Sequence, residues 1–534
     1  MTDEEKVYSN EYADIVARTG DLPSLTDEDV FAEYVDGRYA ILHIPRSLLA
    51  AEGIFTQGYE PYVLSLASDY RADAGIDRVL AQSTLGVDGS GVLIGVVDTG
   101  INYTAPEFIY PNGTTRIAAC WDQSDRSGTP PAGRVYGSEI SRGEINAALE
   151  TEVPLALDDP TGHGTRLASA ALGCAPSAEL LVVKLKRAKP YIMEENLFEE
   201  TLAFQTNDLM TGIDYIVTKA QQLGRPVSVV IGLGTSQGAH IGLSIVERYI
   251  NSVSSRTGVS IAAAIGNEGL SQHHYYAKPE KERHTIEIAV ENSTGFTLWL
   301  WNDYLCRTSV GATTPLSEVI QPVQPVNMAF SRFMPALGSG EVSILYHFPV
   351  NEKQLTAVTV KNPVNGIWRL DLVFSRTNIC GVDCWLPTDR LLNGRVVFVG
   401  PSTATTATVP STAQLVMTVG GYNGNTGGIY EFSGRGPNAQ GLLKPEFTAP
   451  SVDVLGASGT SMGAAVTAGA AALLLQWGIV NGNDIRMKTE IIKAYLIAGT
   501  QQPVRNLEAG SEDFPNDLWG YGRINLYNTF GRIF

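Results

Sequence analysis

Between Val454 and Asn483 the chain carries no charged residue, and this stretch holds Gly459-Thr460-Ser461-Met462 near its start. Gly463, Ala464, Ala465, Ala468, Gly469, Ala470, Ala471 and Ala472 follow, all too small to keep neighbouring backbone at a distance. A segment this apolar on every side predicts a helix buried at the centre of the fold, not one lying on its surface. Ser461 then stands at the helix start with its hydroxyl available, a position that suits a nucleophile. Two structural readings compete with that one. Ser461 can serve as an N-cap alone, and the run through Val480 is long enough for a membrane span. Gly, Thr and Gln interrupt the run and no basic residue flanks it, which weakens the span.

Two other segments supply partners for a serine. Val92-Leu93-Ile94-Gly95-Val96-Val97 is a continuous apolar run, the pattern of a parallel strand buried on both faces, and it delivers Asp98-Thr99-Gly100 at its carboxyl end. Functional groups of open α/β sheets gather at that edge. Gly162-His163-Gly164-Thr165 begins an Ala-rich, helix-compatible stretch, with glycine on both sides of the imidazole. Asp98, His163 and Ser461, each in a frame of small residues, form the set that nucleophilic acyl transfer requires.

In this order the residues resemble the subtilase family, whose triad runs Asp, His, Ser along the chain. Ala263-Ala264-Ile265-Gly266-Asn267 is similar to the family segment whose Asn donates to the oxyanion, and Gly232-Leu233-Gly234 to the strand that pairs with substrate and lines the first specificity pocket. The family usually has Ala at Ile265 and Pro at Ala465; neither position carries a reacting atom. Trp121-Asp122-Gln123, Gly238-Ala239-His240 and Trp519-Gly520-Tyr521-Gly522 narrow the resemblance to the clostridial Csp-type subtilases. That subgroup includes proteases of spore germination and degenerate members that act as signalling pseudoproteases. The resemblance implies an Asp98–His163–Ser461 serine endopeptidase with Asn267 in its oxyanion hole. No cofactor is expected. Subtilases often bind calcium, no Asp-rich loop with ligand spacing is present here, and calcium is left open. The expected partners are a protein or peptide substrate and the chain's own prodomain. A pseudoprotease that binds a partner through the same fold is the alternative.

Composition bounds the rest. A chain of 534 residues, 44% hydrophobic, can bury a large core. A formal charge of −18 argues against nucleic acid or an anionic membrane as partner. The acidic start Met1-Thr2-Asp3-Glu4-Glu5 is unlike a signal peptide, so a cytoplasmic or spore-associated protein is expected. Five cysteines without a CxxC pair suit a reducing compartment better than a disulfide framework. Cys380 and Cys384 lack the further ligands of a metal site. His273-His274 reads as a solvated loop, Asp158-Asp159 as a charged loop, and Lys184-Leu185-Lys186-Arg187 as a solvated basic face.

The pattern along the chain predicts an α/β fold: a subtilisin-like doubly wound parallel sheet with an inserted β-sandwich and a small α+β prodomain. Residues 1–70 mix strand-like runs such as 39–44 with helix-like ones at 27–34 and 46–52. They resemble a subtilase prodomain whose tail, near 59–70, lies in the active-site cleft and is cut near its end. Residues 71–272 alternate strands with helices at 208–223 and 240–256, as in a parallel sheet. Residues 273–405 turn to short β-branched and aromatic runs without a long helix, a β-sandwich that the Csp resemblance makes a jelly roll. The catalytic pattern resumes over 406–534.

Overall fold

The computed structural model describes residues 1–21, 29–49, 61, 63–66, 73–198, 202–377, 380–456, 458–503 and 513–534. The continuous apolar runs assemble into one eight-stranded sheet. Its strands are β1 (Leu93–Asp98), β2 (Ile117–Asp122), β3 (Ser138–Ser141), β4 (Glu179–Lys184), β5 (Val227–Ile231), β6 (Val259–Ala264), β7 (Met417–Tyr422) and β8 (Phe447–Pro450). Across the sheet they run β8-β7-β6-β5-β1-β4-β2-β3, parallel except for the edge strand β3.

Helices α1 (His163–Cys174), α2 (Thr206–Gln222), α3 (Ile245–Ser254) and α4 (Thr460–Leu475) cover the two faces. Ile94 and Val96 of β1 enter one core with α1 and α4, while Leu93 and Val97 enter the opposite core with α2 and α3. A strand covered on both sides has no polar face, which is why its sequence does not alternate. Every residue of α4 is buried. Thr460–Val480 has the length and apolarity of a membrane span, yet 89% of its most apolar window is buried inside the protein. The small residues let α4 approach α1 closely: a Cβ on Gly469 would fall 2.5 Å from the Ala171 carbonyl oxygen. The helix expected over 240–256 is shorter, because the Ser244/Glu247 capping box starts it at Ile245.

Between β6 and β7 the chain builds two antiparallel sheets, of six and five strands. Phe296, Leu298 and Leu300 of the first meet Ile286, Ile288 and Val290 of the second in one core. This region corrects the cysteine reading: Cys306 and Cys380 form a disulfide, their Cα atoms 5.7 Å apart. Cys380 is therefore no metal ligand, and Cys120 and Cys384 are buried free thiols.

At the N-terminus, Tyr12–Arg18, Phe31–Tyr34 and Tyr39–Pro45 form a three-stranded antiparallel sheet with Tyr39–Pro45 in the middle. The helix expected over 27–34 is absent from the described part of that range. Phe31–Tyr34 pairs as a strand, Phe31 stacks on His43 with ring centroids 5.4 Å apart, and Glu33 is buried near His43 and Arg134. Tertiary pairing overrides the local acidic bias. A short helix, Arg46–Leu49, follows.

Candidate functional site

β1 ends on Asp98, which is fully buried at the sheet's carboxyl edge. His163 is the first residue of α1, and its Nδ1 lies 2.7 Å from Asp98 Oδ1. Ser461, in the first turn of α4, places Oγ 3.3 Å from His163 Nε2. The structure thus brings together all three residues from separate elements. Asp98 Oδ1 also accepts the Thr99 N–H at 2.7 Å, while its buried Oδ2 has no hydrogen-bond partner among the described residues. A buried carboxylate so incompletely solvated by hydrogen bonds favours a cation beside it.

Close approach of three chains makes glycine necessary here. A Cβ on Gly164 would run into the Gly100 carbonyl oxygen and sit 3.2 Å from Asp98 Cβ. One on Gly232 would sit 3.1 Å from His163 Cε1 and 3.2 Å from Ser461 Cβ. Gly232 therefore borders the His–Ser pair, and Leu233–Gly234 continues away from it as a short strand.

Asn267 follows β6 and is tied to the start of α4. Its Oδ1 accepts from Thr460 N (3.1 Å) and from Thr460 Oγ1 (3.2 Å), which directs the amide NH₂ away from those contacts. Thr460 Oγ1 in turn accepts the Gly266 N–H at 3.2 Å. The first-turn N–H groups of α4 point out of the helix end beside Ser461.

Asp159 is the residue that sequence reasoning undervalued. Its Oδ1 accepts from Thr99 Oγ1 (2.6 Å) and the Gly162 N–H (3.0 Å); its Oδ2 accepts from the Thr165 N–H (2.8 Å) and Oγ1 (2.7 Å). Thr99 Oγ1 also accepts the Gly164 N–H at 3.0 Å. Asp159 thus binds the Asp98 turn to the start of the His163 helix. Burial disfavours its charge, but the Thr99 and Thr165 hydrogen bonds outweigh burial and hold its carboxyl below the usual range. Small hydroxyl residues around an Asp, as in Asp159-Pro160-Thr161-Gly162, were the available signal.

Two other expectations are corrected. His273 and His274 are buried, not solvated: His273 pairs with Glu268 at 2.9 Å, and His274 with Asp383 at 3.0 Å and the Ala404 carbonyl at 2.6 Å. Lys186 is buried against Asp208 at 2.8 Å, and Lys184 bridges Asp122 and Asp158, so the basic run is no solvated face. Among the described residues, no group of three or more His, Cys, Asp or Glu side chains is placed to hold a metal.

A parallel sheet whose carboxyl edge gathers an aspartate, a histidine and a helix-borne serine defines a hydrolase of the serine-nucleophile class. The chain belongs to the subtilase family of S8 peptidases, whose model matches residues 89–374 and 372–522, and it is a serine protease. It is similar to the CspB protease of Clostridium perfringens at 28% identity and a TM-score of 0.74, over 86% of this chain and 95% of that one. A lanthipeptide protease matches 86% of this chain and 93% of its own at 14% identity and a TM-score of 0.40, too distant to inform the site.

Proposed function

We propose that the chain is an endopeptidase that cuts its own N-terminal segment through Asp98, His163 and Ser461. The observation that carries this reading is backbone pairing. Val63–Leu66 lies antiparallel between Leu233–Gly234 and Phe204–Gln205, with Leu66 opposite Leu233 and Ser65 opposite Gly234. An extended peptide added to strand edges in this way is a substrate-like mode of recognition. Gly232, the residue before Leu233, borders His163 and Ser461. Residues 67–72 lie outside the described residues, as does most of the expected tail over 59–70, near whose end the cut is expected.

In this reading residues 1–70 are the prodomain, 71–272 and 406–534 the catalytic domain, and 273–405 a jelly-roll insertion. His163 Nε2 takes the Ser461 proton during attack and returns it to the leaving amine. Asp98 holds the tautomer through Nδ1 and balances the imidazolium. The Asn267 amide and the Ser461 N–H stabilise the oxyanion as it forms. By its likeness to the Csp-type proteases, the precursor of a spore-cortex hydrolase is the protein substrate to try first.

The first specificity pocket is small. Gly234 and Gly266, on its two walls, both face Thr408: a Cβ on Gly266 would fall 2.6 Å from Thr408 Cγ2, and one on Gly234 2.9 Å from Thr408 Cβ. Thr408 is held by its N–H on the Ile265 carbonyl at 2.8 Å. A threonine between those walls favours Gly, Ala or Ser before the scissile bond. Thr408→Ala is expected to admit larger residues, with kcat/KM for a Leu peptide rising about tenfold relative to an Ala peptide, the order of a methylene or two in a pocket.

The function is tested with a fluorophosphonate probe on the full chain. Labelling confined to Ser461, and lost in Ser461→Ala and His163→Ala, is the expected result; a wild-type protein that takes no label at Ser461, with or without removal of the N-terminal segment, contradicts it.

A further inference from the structure

The outer face of the six-stranded sheet is unusual for a surface. Along its strands, Phe296, Leu298, Leu300, Val342, Ile344, Val358 and Val360 point into the sandwich core. The alternate positions should be polar if they met only water. Instead they include Trp299, Trp301, Leu345, Leu355 and Ala357. Part of this face is covered by the catalytic domain: Tyr191, Ile192, Phe198, Ala239 and Ile241 share a core with Trp299 and Trp301. The remainder is open, a groove of about 550 Å³ between the sheet and residues Ile192, Glu195, Gln237 and Gly238.

Position connects this groove to the cleft. Gln237 and Gly238 follow the Leu233–Gly234 strand directly, and Pro61, just upstream of Val63–Leu66, lines the groove wall. A polypeptide running upstream from the cleft therefore passes into the groove. Most of its charges are paired, Arg332 with Glu341 and Glu195 with Arg46, leaving Lys361 at one strand end, and the lining is otherwise largely apolar, so an apolar occupant is favoured over a strongly charged one. Phe330 and Met328 rim the groove and are exposed, 64% and 39%.

We propose that this groove, formed jointly by the insertion and the catalytic domain, binds the apolar upstream segment of the polypeptide substrate, six or more residues before the scissile residue, and so makes cleavage depend on more than the residues at the catalytic centre. The proposal rests on the endopeptidase reading. Anchoring outside the reacting centre changes uniform binding, so the effect falls on KM and not on kcat.

The test compares two fluorogenic peptides. One begins four residues before an Ala scissile residue; the other adds eight upstream residues containing Phe and Leu. The wild type is expected to show a KM about tenfold lower for the long peptide at equal kcat. Leu345→Glu, on the sheet face and outside the sandwich core, is expected to abolish that difference while leaving the short peptide unchanged. Equal KM values, or an equal loss on both peptides in Leu345→Glu, would overturn the proposal.

If neither peptide is hydrolysed, the endopeptidase reading fails, and the groove is then judged separately by fluorescence anisotropy. The labelled eight-residue upstream segment alone is titrated onto full-length Ser461→Ala, which needs no turnover. Leu345-dependent binding supports the groove. Its absence, or a Leu345-dependent dimer in place of peptide binding, overturns it.

Discussion

The catalytic domain meets its two neighbours through different mixtures of chemistry. Toward the N-terminal unit, Val7, Val16, Val35, Tyr39 and Ile41 enter the core beneath the sheet, and a cluster of buried charge lies beside them: Asp14 pairs with Lys189 at 2.5 Å and with His43 at 2.7 Å, and accepts from Gln205 at 3.0 Å, while Arg134 pairs with Glu33 at 3.2 Å and Asp214 at 2.6 Å. Toward the insertion it is aromatic: Trp385 stacks on His240 at 4.1 Å and on His274 at 4.8 Å, and Phe198 meets Trp299 at 6.3 Å. Buried ion pairs contribute little net stability because desolvation offsets their attraction, but they penalise any mismatch heavily. Apolar burial contributes directly. The charged cluster of the first contact thus penalises docking in any other register, while the second contact gains stability from aromatic burial.

Substitutions separate the two most strongly. Asp14→Ala leaves Lys189 buried without its counter-ion and is expected to destabilise the N-terminal contact by about 3–5 kcal/mol. Trp385→Ala is expected to cost a similar ~3–5 kcal/mol at the insertion contact. The difference lies in repair: replacing Asp14, His43 and Lys189 together by Leu, Leu and Met should recover most of the first loss, as buried ion clusters often exchange for apolar ones. No second polar change should recover the second. Denaturant midpoints of the variants decide this, and failure of the triple replacement to recover stability would remove the contrast.

A smaller effect is opposite pH dependence. Burial of His43 works against its proton, but the charge and hydrogen bond of Asp14, with the Glu33 carboxylate 3.8 Å away, override burial and raise its pKa above the ordinary 6.5. The folded state then keeps a proton that the unfolded chain has lost, so this contribution is full below pH 6.5 and is lost as pH rises through the folded value. Burial instead lowers His240 to about 4, so its contribution is full above pH 6.5 and is lost as pH falls toward 4. Hydrogen exchange should show residues 12–45 loosening on the alkaline side and residues 382–409 on the acid side. His43→Gln and His240→Gln should each flatten only its own trend.

The catalytic constellation was legible because each member sits in a local pattern: Asp98 ends an unbroken apolar strand, and His163 and Ser461 begin helices amid glycine and alanine that neighbouring chains require. What depends on distant pairing was not legible. The Cys306–Cys380 bond joins residues 74 apart in sequence. Phe31–Tyr34 is a strand only because Tyr39–Pro45 lies beside it. Asp159 looks like half of a surface Asp pair until four donors converge on it, and His273-His274 looks solvated until the insertion folds over it. The approach of Thr408 to both Gly234 and Gly266 likewise appears only in the folded chain.

The most direct test of the claim that this site cuts its own chain is the intact mass and N-terminal sequence of the purified wild type beside Ser461→Ala. The account predicts two wild-type fragments, the larger beginning near residue 70, and a single uncut Ser461→Ala chain. A wild type that stays whole, or a Ser461→Ala protein cut at the same bond, would contradict it.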